Sequence, residues 1–285
     1  MTPDPLTSSP LRFTKMHGCG NDFVVIDCRS RPFALDRVQI CHLGDRHLGI
    51  GFDQLLSIEL ANDSKCAFAY RIWNNDGSSA RQCGNGVRCI AAWLLRAGAI
   101  REHVVRLEGP AGPVAVEWID DSRIRVAMGI PEFAPEAIPL AVAERRDPYL
   151  LDIAGREVEM GAVSIGNPHA LIEVDAVAHA PVAVLGPQIE HASVFARGCN
   201  VGFAEVVSRA AIRLRVWERG VGETLACGSG ACAAVAILRG RNRVDPEVRV
   251  DLPGGTLEVQ WSGEHKPIWL AGPAAFVFEG EWTDS

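Results

Sequence analysis

The chain has 285 residues, of which 48% are hydrophobic and 22% charged, and its formal net charge is −7. This length predicts two domains and a core that needs no disulfides. The acidic balance, without any basic run, excludes a nucleic-acid partner, and no apolar stretch approaches a membrane span.

Residues 1–10 lack the basic and apolar regions of a signal peptide and are expected to form a disordered tail. Nine cysteines without an export signal or a C-x-x-C pair predict reduced thiols in a cytoplasm. Cys28, Cys41, Cys66, Cys89 and Cys232 lie among apolar neighbours and are expected to be small buried hydrophobes. Along the chain, a Gly20-Asn21 turn leads into a strand over Phe23–Asp27. Asp36 with Gln39 three residues later predicts a capping box and a helix over Asp36–Arg46. A Gly51-Phe52 strand and the aromatic strand Tyr70-Arg71-Ile72-Trp73 lead to Arg81-Gln82-Cys83-Gly84-Asn85-Gly86-Val87, which opens a helix running toward Gly98. Strands Val114–Ile119 and Arg123–Ala127 follow as an alternating pair.

The chain then repeats itself. A Gly166-Asn167-Pro168 turn precedes the strand Ala170–Val174, and Gly202-Phe203 echoes Gly51-Phe52. Leu214-Arg215-Val216-Trp217 precedes Leu225-Ala226-Cys227-Gly228-Ser229-Gly230-Ala231, which opens a helix toward Gly240, and Leu257–Trp261 pairs with Ile268–Ala271. Cys83 and Cys227 are 144 residues apart, Asn21 and Asn167 146, and Gly112 and Gly255 143. Several echoes in one order predict two homologous halves related by a pseudo-twofold axis. The expected fold is α+β, each half a mixed, mostly antiparallel sheet around a central helix, with the site in the cleft between. The halves are drawn as residues 11–127 plus 273–285, and 128–272.

Cys-Gly-x-Gly at a helix start has a specific chemistry. The first helical N–H groups lack partners and carry partial positive charge. A cysteine there is expected to have a depressed pKa, and the same N–H groups can hold a carboxylate. Two such starts meeting at an axis would grip one carboxylate, with a sulfur on each side of the adjacent carbon. That suits inversion of an amino-acid α-carbon, one thiolate taking the proton and the opposite thiol returning one. No metal or pyridoxal phosphate is required, and no signature of either is present. The halves differ where an asymmetric substrate could use it: Glu218 stands where the first half has Asn74, and His169 where it has Phe23. Both could exchange protons with the thiols.

Met16-His17-Gly18-Cys19-Gly20-Asn21-Asp22-Phe23, Gly51-Phe52-Asp53-Gln54, Gln82-Cys83-Gly84-Asn85-Gly86, Gly166-Asn167-Pro168-His169 and the run from Glu218-Arg219-Gly220-Val221-Gly222-Glu223-Thr224 to Ala231 together resemble the diaminopimelate epimerase family. The resemblance extends from Leu11 onward. It implies cofactor-free interconversion of LL- and meso-2,6-diaminopimelate in lysine and peptidoglycan precursor synthesis, by a cytoplasmic homodimer. Cys83 and Cys227 match the two catalytic thiols, the first as donor and the second as acceptor from the LL form. His169 and Glu218 match residues that tune them. Asn21, Gln54, Asn74, Asn167, Asn200 and Arg219 match substrate contacts, with Glu218 among them, and Gly84-Asn85 and Gly228-Ser229 match backbone donors to the reacting carboxylate. Arg219 has the planar fork suited to a distal carboxylate. Two departures stand out: Phe278 occupies a position where the family often carries an aromatic hydroxyl at a dimer contact, and Cys19 has no assigned role. The alternatives are another two-cysteine racemase, such as a proline or hydroxyproline enzyme, or a thiol redox or binding protein in which the two cysteines form a regulatory disulfide.

Overall fold

The computed structural model describes residues 10–120, 123–153 and 155–283. The expected tail at residues 1–10 lies, except for Pro10, outside the described residues. The first half of the chain contributes β1 (Leu11–Gly18), β2 (Asn21–Asp27), α1 (Arg37–Gly44), β3 (Gln54–Glu59), β4 (Phe68–Asn74), β5 (Ser79–Ala80), α2 (Gly84–Arg96), β6 (Val104–Gly109), β7 (Gly112–Trp118) and β8 (Ile124–Ala127). The second contributes β9 (Tyr149–Ile153), β10 (Arg156–Ser164), β11 (Pro168–Glu173), α3 (Val182–Glu190), β12 (Asn200–Ser208), β13 (Ala211–Glu218), β14 (Gly222–Thr224), α4 (Gly228–Gly240), β15 (Glu247–Leu252), β16 (Gly255–Gln260), β17 (Trp269–Gly272) and β18 (Ala275–Trp282).

Strand pairing repeats between the two. β2 runs parallel to β3 as β11 does to β12, and β4 parallel to β6 as β13 does to β15. The remaining ladders are antiparallel, including β3–β4 and its counterpart β12–β13. Two ladders join the halves of the chain: β8 pairs with β17 from Ile124↔Gly272 to Ala127↔Trp269, and β18 returns to pair with β1. The fold is therefore α+β, with a mixed sheet around a central helix in each repeat.

Local sequence accounts for these helices. Asp36 caps α1 with a reciprocal box, its carboxylate accepting from Gln39 N–H at 2.9 Å while the Gln39 side chain accepts from Asp36 N–H at 3.0 Å. α2 buries Val87, Ile90, Ala91 and Leu94 at helical spacing. α4 is buried on all sides from Ala231 to Leu238, and its alanines combine high helix propensity with small volume. α2 ends as expected before Gly98, which is left-handed at φ 64°. The second helix does not stop at Gly240. It includes that residue, and Asn242, at φ 57°, takes the left-handed position.

Three sequence expectations change. The Gly51-Phe52 and Gly202-Phe203 echo is coincidental, because the parallel registers pair Phe23 with Gln54 and His169 with Asn200, which makes Asn200 the counterpart of Gln54. Cys41 is exposed on α1 rather than buried, although Cys28, Cys66, Cys89 and Cys232 are buried. α3, the counterpart of α1, was not expected: its sequence is almost wholly apolar and contains Pro187, so it carries no amphipathic signature.

The repeats meet at Leu270 on β17, a fully buried side chain. A Cβ on Gly84 would lie 3.0 Å from Leu270 Cδ2, and one on Gly228 2.7 Å from the same atom. Both helix starts thus press backbone against one leucine, which only glycine permits. Leu270→Ala should cost about 2–5 kcal/mol of stability by opening a cavity at this junction, measured as a lowered urea midpoint with unchanged slope.

Candidate active site

Cys83 is the N-cap of α2 and Cys227 the N-cap of α4. The Gly86 N–H donates to Cys83 Sγ at 3.4 Å, so this sulfur occupies the place of a capping oxygen. Cys227 makes no such cap; its thiol donates instead to Glu218 Oε2 at 3.1 Å and lies 3.6 Å from Ser229 Oγ. Glu218 ends β13, and its other oxygen accepts from the Thr224 hydroxyl at 2.6 Å. The carboxylate is therefore aimed at the sulfur by a short hairpin, β13 to β14, which lies directly before Cys227.

One cavity of about 1720 Å³ contains both cysteines, together with Gly84, Asn85, Gly228 and Ser229 at the two helix starts. Asn21, Gln54 and Asn74 line it from the first repeat, and Asn167, Glu218 and Arg219 from the second. The amides are already oriented. Gln54 Nε2 donates to Asn74 Oδ1 at 2.9 Å, Asn74 Nδ2 donates to Ser78 Oγ at 3.0 Å, and Asn21 Nδ2 donates to Asp53 Oδ2 at 2.8 Å. Gln54 Oε1, by contrast, is buried with no hydrogen-bond partner. Arg219 holds its guanidinium against the Arg197 carbonyl at 3.0 Å and, among the described residues, pairs with no carboxylate.

Two expected site residues are not on the cavity wall. Asn200 is buried and uses both ends of its amide internally, donating to the Pro168 carbonyl at 3.2 Å and accepting from Arg219 N–H at 3.0 Å. It positions Arg219 from beneath. His169 is 1% exposed, and its Nε2 bonds Asn167 Oδ1 at 3.0 Å. Burial first, and the charge of Arg219 second, pull its pKa down to about 3, so the ring is neutral and holds Asn167.

The expected thiolate at each helix start is also corrected. Burial pushes the Cys83 thiol up to about 11, overriding the Gly86 N–H that favours its anion. Burial, and then the Glu218 carboxylate beside it, raise Cys227 well above its ordinary 9.0. Burial raises Glu218 as well. The helix dipole is a small effect next to the desolvation of a sulfur anion.

With this geometry established, comparison with known proteins is decisive. The sequence profile described as "Diaminopimelate epimerase" matches residues 13–134 and 161–277. A diaminopimelate epimerase of Xanthomonas axonopodis pv. citri (strain 306) is 53% identical over 277 residues, covering 97% of this chain and 98% of the relative. One from Xylella fastidiosa (strain M12) is 49% identical over 278 residues, covering 96% of each. The chain belongs to the diaminopimelate epimerase family. It is accordingly an isomerase of the epimerase class. In fold, it is similar to a hydroxyproline epimerase from Agrobacterium vitis with bound trans-4-OH-L-proline, at a TM-score of 0.69 and 17% identity over 95% of this chain and 92% of that one. A PhzF-family phenazine biosynthesis protein of Bacillus anthracis gives 0.69 and 16% over 97% and 100%.

Two buried residues that shape this cavity carry no signal singled out in the sequence. Glu190, buried at the end of α3, accepts from Trp217 Nε1 at 2.7 Å and from Gly220 N–H at 2.8 Å, and so pins the turn that carries Glu218 and Arg219. Only prediction of α3 would have singled it out. Arg88, fully buried in α2, is the other. The Glu218–Cys227 contact gives a pH test. Removing the carboxylate's charge in Glu218→Gln should lower the pH midpoint of Cys227 alkylation, because a neighbouring anion opposes thiolate formation. Peptide mass spectrometry after iodoacetamide labelling across pH 6–11 measures it, and an unmoved midpoint would remove Glu218 from control of this thiol.

Proposed function

We propose that the enzyme epimerises LL-2,6-diaminopimelate to the meso form by a two-thiol mechanism in the cleft between the repeats, residues 11–127 with 273–285 and residues 128–272. The observation that carries this reading is the pair of cysteine N-caps sharing one cavity with the backbone N–H groups of both helix starts. The reacting carboxylate is assigned to the N–H groups of Gly84-Asn85 and Gly228-Ser229, where partial positive charge can stabilise the enolate-like carboxylate formed as the α-proton leaves. One sulfur anion takes that proton, and the electron pair passes into the carboxylate. The opposite thiol then protonates the carbon from the other face, leaving the two sulfurs with their protonation states exchanged. Glu218, in contact with Cys227, is the group suited to restoring the starting state.

The remote end of the substrate carries a second carboxylate and a second ammonium. Arg219, with no carboxylate partner among the described residues, suits the first. The neutral polar wall of Gln54, Asn74, Asn21 and Asn167 suits the ammonium. His169 and Asn200 act on this end through Asn167 and Arg219. Such a product would serve lysine and peptidoglycan precursor synthesis, and nine free thiols are consistent with a reducing cytoplasm.

The test is α-hydrogen exchange by NMR in D₂O under reducing conditions. Deuterium should enter LL-diaminopimelate with inversion, and Cys83→Ser and Cys227→Ser should each lower epimerisation by about two orders of magnitude or more. No exchange with the wild-type protein would reject this substrate.

The assembly we infer is a homodimer through β18, where Phe278 is 49% exposed and Val277 is exposed beside it. Phe278 stands edge-on to Phe13 at 5.9 Å, so an apolar contact can form without the hydroxyl. Phe278→Glu should shift the protein from dimer to monomer in sedimentation velocity, and a wild-type monomer would refute the inference.

A further inference from the structure

Arg88 is fully buried, and among the described residues no carboxylate neutralises it. Its Nη2 donates to Asn85 Oδ1 at 2.7 Å, its Nε reaches the Pro273 carbonyl at 3.5 Å, and its Nη1 is buried without a partner. Such an arrangement is costly. Its neighbours leave little freedom: a Cβ on Gly18 or on Gly272 would lie 3.3 Å from Nη2.

The contact with Asn85 fixes a directed chain. Because Asn85 Oδ1 accepts from Arg88, its Nδ2 must face outward, and it donates to Asn21 Oδ1 at 3.3 Å and lies 3.4 Å from the Ala226 carbonyl. Asn21 Oδ1 also lies 3.7 Å from Cys83 Sγ, and Asn21 Nδ2 is held by Asp53, whose other oxygen accepts from Arg46 at 2.8 Å. The chain thus begins at a buried cation, touches both cysteine-bearing segments, and ends on a solvent-facing arginine. Asn85, Asn21, Asp53 and Arg46 all line the cavity, with Arg88 behind them.

The repeat sharpens the point. Arg88 lies five residues after Cys83, and the fifth residue after Cys227 is Cys232, which is buried and uncharged in the same place. The second repeat has Glu218 against its thiol instead. The paired sites therefore differ by a buried cation behind one sulfur and a carboxylate beside the other.

Resting on the epimerase reading above, we propose that Arg88 is a positioning residue for the Cys83 side of the site, holding Asn85 and Asn21 in their working orientation and supplying the positive charge that favours the Cys83 anion. Other groups that act on Cys83 are Glu218 from β13, Tyr70 from β4 and Cys89 on its own helix; around Arg88 itself lie Cys19, Cys83, Cys89 and Cys232. Of these, only Arg88 is a cation, and Glu218 acts in the opposite sense on both sulfurs.

The experiment uses the whole protein with Arg88→Met and Arg88→Lys, each checked for folding by circular dichroism. Two readouts are made: Cys83 alkylation by iodoacetamide as a function of pH, followed on its own peptide, and kcat and KM for diaminopimelate. In Arg88→Met the alkylation midpoint of Cys83 should move to higher pH while that of Cys227 moves less. In Arg88→Lys the charge remains but the Nη2 bond to Asn85 is lost, so the midpoint should stay near wild type while kcat falls roughly tenfold to a hundredfold, the fold-change of a charge-assisted hydrogen bond. A Cys83 midpoint unmoved in folded Arg88→Met would overturn the electrostatic role. A wild-type kcat in Arg88→Lys would overturn the positioning role, and this variant decides the matter if the methionine protein does not fold. Labelling needs no substrate, so inactivity of the wild-type enzyme toward diaminopimelate would count against the proposed reaction and leave the Arg88 result standing.

Discussion

The structure depends on the meeting of two helix N-termini over Leu270. A helix start exposes N–H groups that must find partners, and two such starts pointing at one place would repel each other if nothing anionic lay between them. The chain accepts this frustration at its centre, and the rest of the fold is arranged to hold it. The β8–β17 ladder joins the repeats directly beside the meeting point, and β18 returns to β1 on the far side. Gly84 and Gly228 bring both backbones onto the same leucine, so neither start can retreat without losing packing. A site made of backbone groups on packed helices is stiff in a way that side-chain donors on loops are not.

Onto this near-symmetric frame the chain places opposite charges. Glu218 stands against Cys227, and Arg88 lies behind Cys83 in a place where the other repeat has a thiol. Each of these groups costs desolvation energy, and neither improves the packing of an otherwise apolar core. Burial at both positions makes physical sense if the two sulfurs are required to differ. A strictly symmetric pair of thiols would share one proton without preference, whereas a cation near one and an anion near the other bias where it resides.

Much of this was legible in the sequence because the repeat made it so. Cys83 and Cys227 could be placed at helix starts from the glycines around them, and Asp36 with Gln39 located α1 through a local hydrogen-bond pattern. Features set by tertiary packing were not legible. Cys41 sits among apolar neighbours in sequence but on the outer face of α1, and α3 lacks an amphipathic pattern because most of it is apolar. The thiol pKa values went the wrong way for the same reason: helix position can be read from a motif, while the desolvation that outweighs it depends on everything packed around the sulfur. Arg88 belongs to none of the motifs that point to the site. Its signal was present in the repeat, where an arginine aligns with Cys232 in a helix otherwise apolar at that level.

Raised thiol pKa values at first look hostile to a mechanism that needs a sulfur anion. An α-carbon proton is only weakly acidic, however, and a base of ordinary thiolate strength would take it slowly. Burial that raises the pKa also raises the basicity of the anion once formed, at the cost of making that anion scarce. The two requirements separate in this structure. In the proposed two-thiol mechanism, desolvation by the surrounding core would set how strong a base each sulfur can be, and nearby charge, the Gly86 N–H and Arg88 on one side and Glu218 on the other, would favour or oppose its anion. Dividing the two tasks between the whole core and a few side chains would let the proposed two-thiol site be both basic and directional.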